Sequence, residues 1–255
     1  MKIFTEITNK TTTMAKQNSH MSLSIYHQNL RQLKHKIDEL ACSLIAKELH
    51  PYFTCTTKHY LIEQKLLLIN HENYHLVSNF SRIKNTSGVC IYVRSETITN
   101  TVAKKVSQFC KEKIFEAYAV QIIVVKFSIR ILCIYRSPSG DFDQFLIYVI
   151  SLWNIDKEFV ICGDFNINFS KDSIFKQQIA LLFQSYNLFQ SNNFPTRIAK
   201  VPSSAINIYL LNRVELSHTM YLLQSMAFLT MRLNIWFSAM SSTITRTKNN
   251  HSELR

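Results

Sequence analysis

Apolar runs rich in β-branched and aromatic residues alternate with polar segments along the chain and predict a series of short strands. The clearest runs occupy residues 23–29, 51–57, 88–94, 117–125, 128–135 and 158–162. Only a short polar break separates the runs at 117–125 and 128–135, which predicts two adjacent buried strands.

Other segments carry apolar residues at helical spacing. Five residues that recur every few positions predict a first helix ending at Lys47: Leu33, Ile37, Leu40, Leu44 and Ile45. Asp141 is predicted to cap a helix that runs to about Trp153, and residues 174–186 are predicted to form an amphipathic helix. The basic segment 104–113 is predicted to be a helical connection. Strand pairs interrupted by helices indicate a layered α/β or α+β domain.

Glycine is unusually scarce in this chain of 255 residues. The three glycines, Gly88, Gly140 and Gly163, are far apart, which excludes a dinucleotide-binding fingerprint and a P-loop. The chain has 29 lysines and arginines against 17 aspartates and glutamates, a formal net charge of +12. That charge favours a polyanionic partner, although a basic protein with solvated charges has the same composition.

The six cysteines form no C-x-x-C pair, and Cys90, Cys133 and Cys162 lie inside apolar runs. This usage is typical of buried free thiols in a reducing compartment. Residues 1–22 are polar and threonine-rich, and we expect a disordered leader that lacks the apolar core of a signal peptide. No apolar run is long enough to span a bilayer. We therefore expect a protein of the nucleus or cytoplasm that is neither secreted nor membrane-bound.

Two short motifs carry candidate chemistry. Residues 71–75 spell H-E-x-x-H, the helical zinc motif of metalloproteases, but asparagines at 70 and 73 disfavour a helix and no third ligand follows in phase. We interpret these residues as a loop that enters a strand. Asp164 and Asn166 follow a buried strand, where layered α/β folds commonly build their sites. If the backbone there is extended, both side chains point the same way, although an Asx-type turn that ends the strand explains these residues better when they are taken alone.

Several sequence blocks, in their order and spacing, resemble the endonuclease domain of jockey-like non-LTR retrotransposons. The blocks are SIYHQNLRQLKHKIDEL, PYFTCTTKHYL, SGVCIYVR, LCIYRSPSGDFDQFL, VICGDFNINFS, NNFPTRI and SSAINIYL. The resemblance covers residues 23–230 and leaves 231–255 as a polar tail. It implies the four-layer α/β sandwich of the endonuclease/exonuclease/phosphatase superfamily. It also implies a monomeric enzyme that uses Mg²⁺ or Mn²⁺ to hydrolyse phosphodiester bonds in DNA.

The resemblance also assigns roles to individual residues. Asn29 and Asp164 match residues of the metal site, and Asp164 also matches the group that orients or activates the attacking water. Tyr135 matches a tyrosine that contacts the scissile phosphate, and Asn166 matches the companion amide that helps to hold it. His218 matches a histidine that stabilises charge on the phosphate. Asn207 occupies the place of an aspartate that pairs with the catalytic histidine, and Arg136 and Asn168 match nucleic-acid-binding positions.

The acidic residues of the family site are altered together. Lys58 stands where the family has its main Mg²⁺-binding glutamate, Asn207 replaces an aspartate, and the family triplet S-D-H is reduced to Ser217-His218. At 4 Å and an effective dielectric near 20, a carboxylate attracts a divalent ion by roughly 8 kcal/mol, and lysine turns this attraction into repulsion. We therefore expect an endonuclease domain whose activity is impaired. The alternatives are a catalytically inactive nucleic-acid-binding remnant and a phosphatase that acts on small phosphorylated molecules.

Overall fold

The fold is described from a computed structural model, which covers residues 20–83, 87–124, 127–153, 158–169, 171–190, 207–211, 217–223 and 228–236. Six strands form a first sheet: β1 (His20–Asn29), β2 (Phe53–Thr57), β3 (Tyr74–Phe80), β4 (Val89–Arg94), β11 (Ser217–Leu223) and β12 (Phe228–Trp236). Six others form a second sheet: β5 (Thr101–Lys104), β6 (Phe115–Val124), β7 (Phe127–Arg136), β8 (Glu158–Asp164), β9 (Phe189–Gln190) and β10 (Asn207–Leu211).

Both sheets are mixed, and each contains one pair of parallel strands. The first has the order β11-β12-β1-β2-β4-β3, and the second has the order β5-β6-β7-β8-β10-β9. β1 and β2 are parallel, as are β7 and β8, while the other pairs are antiparallel. Parallel neighbours need a crossover connection. Helix α1 (Ile37–Ala46) supplies it between β1 and β2, and α3 (Phe142–Trp153) supplies it between β7 and β8.

The helices cover the outer faces of the two sheets. α1 and the short α2 (Glu63–Leu66) pack against the first sheet through a cluster that includes Leu33, Leu40 and Tyr92. α3 and α4 (Ile174–Ser185) pack against the second through a cluster that includes Phe145, Phe183 and Ile161. Each such side chain, once fully buried, contributes about 1.5–3 kcal/mol of transfer free energy. The resulting order of helices, sheet, sheet and helices confirms the predicted four-layer α/β sandwich.

Alternate residues of the central strands fill the space between the two sheets. Ile25, Phe53 and Ile91 from the first sheet meet Val120 and Ile131 from the second, and all are buried. Gly163 lies where β8 crosses close to β7, because a Cβ there would come within 2.0 Å of the Ile134 carbonyl oxygen. The close approach of the parallel strands therefore requires glycine at this position.

Most predicted elements are confirmed, and the helix caps agree with the sequence. Asp141 Oδ1 accepts a hydrogen bond from the backbone N–H of Gln144 at 2.8 Å at the start of α3. The predicted helix at 104–113 is wrong. Lys104 ends β5, and a 3-10 turn follows at Ser107–Phe109. Only Val106 of this segment is fully buried, so it lacks the apolar stripe that a helix needs to pack.

The two ends of the predicted domain also require correction. Residues 20–22 were expected in the leader, yet they belong to β1, where they pair with residues 234–236 of β12. Residues 231–236, expected in the polar tail, are the second half of β12. The pairing of β1 with β12 therefore extends the first sheet beyond residues 23 and 230, the predicted ends of the domain. Residues 1–19 and 237–255 lie outside the described part of the chain.

Candidate active site

The candidate site lies where the parallel strands of both sheets end. Asn29 is the last residue of β1, and its partner in the register with β2 is Thr57, the residue before Lys58. Tyr135 on β7 lies opposite Asp164, the last residue of β8. Because crossover connections start at the carboxyl ends of these strands, side chains from different parts of the sequence meet there.

Asp164 is the centre of this arrangement and is fully buried. Its Oδ2 accepts hydrogen bonds from the Asn29 side-chain amide and from Lys58 Nζ, the latter at 3.0 Å. Its Oδ1 accepts a hydrogen bond from the backbone N–H of Asn166 at 3.1 Å. The structure thus brings together Asn29, Lys58, Asp164 and Asn166, which the sequence placed in one site.

Lys58 reaches the carboxylate because of an unusual backbone conformation. Its φ is +61°, in the left-handed region, and its backbone N–H donates to the Gly88 carbonyl oxygen at 2.7 Å. The residue is 9% exposed, and its Nζ lies 4.8 Å from the centroid of the Tyr135 ring. The ammonium is therefore held by an ion pair and by a cation–π contact in a largely water-free position.

Tyr135 completes the inner wall of the site and is 5% exposed. Burial, together with the negative charges of Asp164 and Glu116, raises the pKa of Tyr135 to about 12. Its phenol therefore keeps its proton at neutral pH and can donate a hydrogen bond to a phosphate oxygen.

Asn166 lies next to Asp164, but not by the extended geometry that the sequence suggested. Its φ is +50°, so the chain turns immediately after β8. In this turn the Asn166 side-chain amide donates to the Arg136 carbonyl oxygen at 2.6 Å. The Asx-type turn that was the alternative interpretation is present, and it links the end of β8 to the end of β7.

Arg136, which the resemblance matches to a nucleic-acid-binding position, is buried. It is 4% exposed, and its guanidinium donates to the carbonyl oxygens of Phe165 and Gly140, each at 3.4 Å. The charge also lies 5.2 Å from the Phe142 ring centroid. Because Arg136 follows Tyr135, it points to the opposite face of the sheet, toward the helices. It connects the loops that carry the site.

Three other predicted site residues lie at different distances from Asp164. Asn207 is the register partner of Asp164 in the ladder of β8 and β10, so its backbone is at the site. Asn168 is half-buried in the loop after β8, four residues beyond Asp164. His218 lies opposite Leu233, which itself lies opposite Leu23.

The register places His218 far along the first sheet. Leu23 precedes Asn29 by six residues on β1, which corresponds to roughly 20 Å of strand. The structure therefore does not bring the His218 backbone to the level of the site.

A second buried ion pair lies beside the site and was not anticipated. Glu116 on β6 is the register partner of Tyr135, is fully buried and pairs with the guanidinium of Arg82. Its second carboxylate oxygen accepts the Gly88 backbone N–H at 2.9 Å. Burial raises the pKa of Glu116, and the Arg82 charge opposes this shift. The sequence offered one signal for this pair, namely a single acidic residue, Glu116, at the start of an apolar strand.

The H-E-x-x-H residues form no helix, which confirms the interpretation as a loop entering a strand. His71 makes an isolated bridge with Tyr74, the first residue of β3, and the two rings stack at 4.4 Å. His71 is buried, whereas His75 is exposed. The two histidines therefore do not face a common metal ion. Among the helices of the described residues, none has the length and apolar character needed to cross a membrane.

No protein-family model matches this sequence, and no curated protein matches it. The structure is similar to the endonuclease domain of TRAS1, a telomere-specific non-LTR retrotransposon, with 13% identity and a TM-score of 0.66 over 84% of this chain and 98% of that one. It is also similar to the AP endonuclease LMAP from Leishmania major, with 10% identity and a TM-score of 0.61 over 85% and 88% of the two chains.

A third similar structure is an endonuclease/exonuclease/phosphatase family protein from Bacteroides thetaiotaomicron, with 11% identity and a TM-score of 0.58. That match covers 87% of this chain and 97% of the other. This chain therefore has the fold of the endonuclease/exonuclease/phosphatase superfamily.

Proposed function

We propose that this chain is a retrotransposon-derived endonuclease domain that binds DNA and has lost most of its metal-dependent phosphodiesterase activity. The observation that carries the proposal is the contact of 3.0 Å between Lys58 Nζ and Asp164 Oδ2. It puts a fixed positive charge where the resemblance expects a metal-binding glutamate.

A nucleic-acid substrate is supported by the blocks IYRSPSGDF and CGDFNINF and by the net charge of +12. Among the similar structures are a retrotransposon endonuclease domain and a D. rerio TDP2 complexed with single-stranded DNA product. The fold alone is less selective, since a mannosyl-6-phosphatase from Bacteroides thetaiotaomicron is also similar, with a TM-score of 0.56. The sequence blocks therefore favour DNA over a small phosphorylated molecule.

The charges at the site do not suit a resident Mg²⁺ or Mn²⁺ ion. Both ions prefer carboxylate ligands, and Asp164 contributes a single negative charge that the Lys58 ammonium already neutralises. Asn29 Oδ1 is buried and accepts no hydrogen bond from the described residues, so it is one oxygen that a cation could use. One neutral oxygen beside a neutralised carboxylate offers little attraction for a dication.

The same charges suit a phosphate group without a metal. The Lys58 ammonium can attract a phosphate oxygen, and Tyr135 can donate a hydrogen bond to it. Loops next to the strand ends line a depression with further cationic and aromatic groups, namely Lys34, His35, Tyr60 and Lys65. In this proposal the DNA backbone crosses this depression beside Tyr60, two residues after Lys58, and contacts Lys58 and Tyr135 at the strand ends. Asn166 links the loop after β8 to the end of β7.

Binding of a labelled DNA duplex, followed by fluorescence anisotropy, tests the role of Lys58. We expect the unmodified chain to bind in the presence of a chelator, and added Mg²⁺ at constant ionic strength not to tighten that binding. Lys58→Glu should bind about tenfold more weakly with chelator, since an attractive charge becomes repulsive. Mg²⁺ should restore its affinity. Lys47→Glu makes the same change in net charge beyond α1 and serves as the matched control.

Equal tightening by Mg²⁺ in the unmodified chain and in Lys58→Glu would contradict the proposal, because it would show that Lys58 does not replace the metal. Competition between a plasmid and an inositol phosphate distinguishes DNA from a small phosphorylated molecule as the substrate. If the inositol phosphate displaces the duplex at a lower concentration than the plasmid does, the proposed substrate class is wrong.

Nicking of supercoiled plasmid tests the loss of hydrolysis. The unmodified chain should nick no faster with Mg²⁺ than with chelator, whereas Lys58→Glu combined with Asn207→Asp should nick with Mg²⁺. Adding Asp164→Ala to this pair should abolish the gain, which controls for a contaminating nuclease. If the unmodified chain nicks with Mg²⁺ as fast as the double variant, the site works without its glutamate and the loss of activity is refuted.

A further inference from the structure

Three cysteine thiols converge in the space between the two sheets. Cys55 comes from β2 of the first sheet, and Cys133 and Cys162 are register partners on β7 and β8 of the second. The Sγ atoms of all three lie within 4.8 Å of one another, and all three residues are fully buried. They form the thiol cluster discussed below.

A histidine from a fourth strand lies beside this cluster. His27 on β1 is the register partner of Cys55 and is also fully buried. Its Nε2 lies 3.5 Å from Thr57 Oγ1, whereas its Nδ1 has no hydrogen-bond partner among the described residues. A buried imidazole nitrogen without a partner is uncommon in folded proteins and needs an explanation.

We propose that Cys55, Cys133 and Cys162, with His27 as the fourth ligand, form a structural site for a thiolate-binding metal ion of the zinc class. Three cysteines and one histidine are a common donor set of tetrahedral structural zinc. A zinc–sulfur distance of 2.3 Å in a tetrahedron separates the sulfurs by about 3.8 Å. The sulfurs of the thiol cluster already lie near that separation, and the His27 ring must move toward them to complete the tetrahedron.

The site is distinct from the candidate active site but lies directly beneath it. Each ligand precedes a residue at the strand ends by two positions on the same strand face: His27 precedes Asn29, Cys55 precedes Thr57, Cys133 precedes Tyr135, and Cys162 precedes Asp164. A metal ion here joins the two sheets one residue layer below Asp164. It holds the strand ends of the two sheets at a fixed separation.

Binding requires deprotonation of the thiols. Burial raises the pKa of the Cys55 and Cys133 thiols, so the ion must displace their protons, whereas hydrogen bonds with Cys133 and Cys55 lower the pKa of the Cys162 thiol. Because the cluster is sealed from solvent, the ion enters while the sheets assemble rather than afterwards. Cys90 is the contrasting case, since it is equally buried but its Sγ contacts Thr56 Oγ1 at 3.0 Å and lies outside the cluster.

Metal content after refolding tests this proposal. The full chain is unfolded with chelator, refolded with Zn²⁺, passed through chelator again, and analysed by mass spectrometry for metal. We expect about one zinc ion per chain for the unmodified protein and for the control Cys90→Ser. Cys133→Ser and Cys162→Ser should retain none. A folded unmodified chain that retains no zinc, or cluster variants that retain as much as Cys90→Ser, would overturn the proposal.

A second measurement needs no variant. After refolding with Co²⁺, tetrahedral coordination by thiolates gives intense visible bands together with sulfur-to-metal charge-transfer absorption in the near ultraviolet. We expect this spectrum, and we expect Zn²⁺ to bleach it when both ions compete during refolding. The weak spectrum of octahedral Co²⁺ would refute a thiolate site even if every serine variant failed to fold.

Discussion

Two buried pairs of opposite charge flank Tyr135, and they are built differently. On one side, Glu116 is held by the Arg82 guanidinium and by the Gly88 backbone N–H, so both carboxylate oxygens have partners. On the other side, Asp164 Oδ2 is shared by the Asn29 amide and the Lys58 ammonium. The four positions Glu116, Tyr135, Asp164 and Asn207 lie in one row across β6, β7, β8 and β10.

The difference separates a structural charge pair from a functional one. Arginine presents a rigid fork of donors, and the Gly88 backbone N–H is a second donor to Glu116. Lysine is a flexible point charge. Lys58 can therefore move from Asp164 to a phosphate that enters the site, whereas Arg82 stays with Glu116.

We expect removal of the carboxylate from the Arg82–Glu116 pair to lower the free energy of unfolding most. Glu116→Ala leaves the buried Arg82 guanidinium without its carboxylate and should lower the free energy of unfolding by about 3–5 kcal/mol. Urea denaturation followed by circular dichroism measures this loss. Glu72→Ala, which removes an exposed carboxylate, is the control and should change little. A loss no larger than that of the control would mean that the Arg82–Glu116 pair has no structural role.

We expect low pH to lower the free energy of unfolding through His27, which lies beneath the Lys58–Asp164 pair. Burial lowers the pKa of His27 to about 4, while the unfolded chain takes up the same proton near pH 6.5. As the pH falls below 6.5, the unfolded state binds a proton that the folded state does not. Because of His27, the free energy of unfolding therefore falls by about 1.4 kcal/mol for each unit by which the pH is lowered.

Comparison with His27→Gln isolates this effect in metal-free protein kept in chelator. Between pH 6 and pH 4.5 the unmodified chain should lose about 2 kcal/mol more than the variant, as measured by urea denaturation at each pH. Equal pH slopes for the two proteins would show that His27 is protonated as readily in the folded state as in the unfolded one.

We expect removal of the Asn29 side-chain amide, which contacts Asp164, to lower the free energy of unfolding least. Asn29→Ala loses one hydrogen bond to Asp164, but Lys58 Nζ and the Asn166 backbone N–H still satisfy both carboxylate oxygens. The unpartnered Asn29 Oδ1 is lost at the same time, which offsets part of the cost. We expect the free energy of unfolding to fall by about 1 kcal/mol in the same urea assay. A loss as large as that of Glu116→Ala would place Asn29 in a structural role like that of Arg82.

The local elements were largely predictable, and the errors have a common cause. Apolar runs predicted β6, β7 and β8 because central strands must be buried on both faces, and Asp141 predicted the start of α3 because its side chain caps its own helix. The segment 104–113 was misjudged because its lysines are compatible with a helix, while only packing of Val106 decides its conformation.

The site was predicted in part. The resemblance identified Asn29, Tyr135, Asp164 and Asn166 as members of one site, and the structure brings them together. It also exposed the substitution at Lys58 and predicted that the lysine would repel a divalent ion, but it did not predict the pairing of Lys58 with Asp164. Motif matching gives neither the strand face on which a side chain lies nor the register of a distant strand. It therefore could not show that the Arg136 side chain lies toward the helices or that the His218 backbone lies far along the first sheet.

Periodicity and helix caps are local properties of the chain, so they predicted most of the strands and helices and a layered α/β domain. The resemblance to a known family identified the loss of acidic groups. Tertiary structure alone decided what those groups contact. The pairing of Lys58 with Asp164, of Arg82 with Glu116, and of Cys55 with Cys133 and Cys162 joins residues that are distant in sequence. Such pairs form only when two sheets pack face to face, since their strand register and separation set which side chains meet.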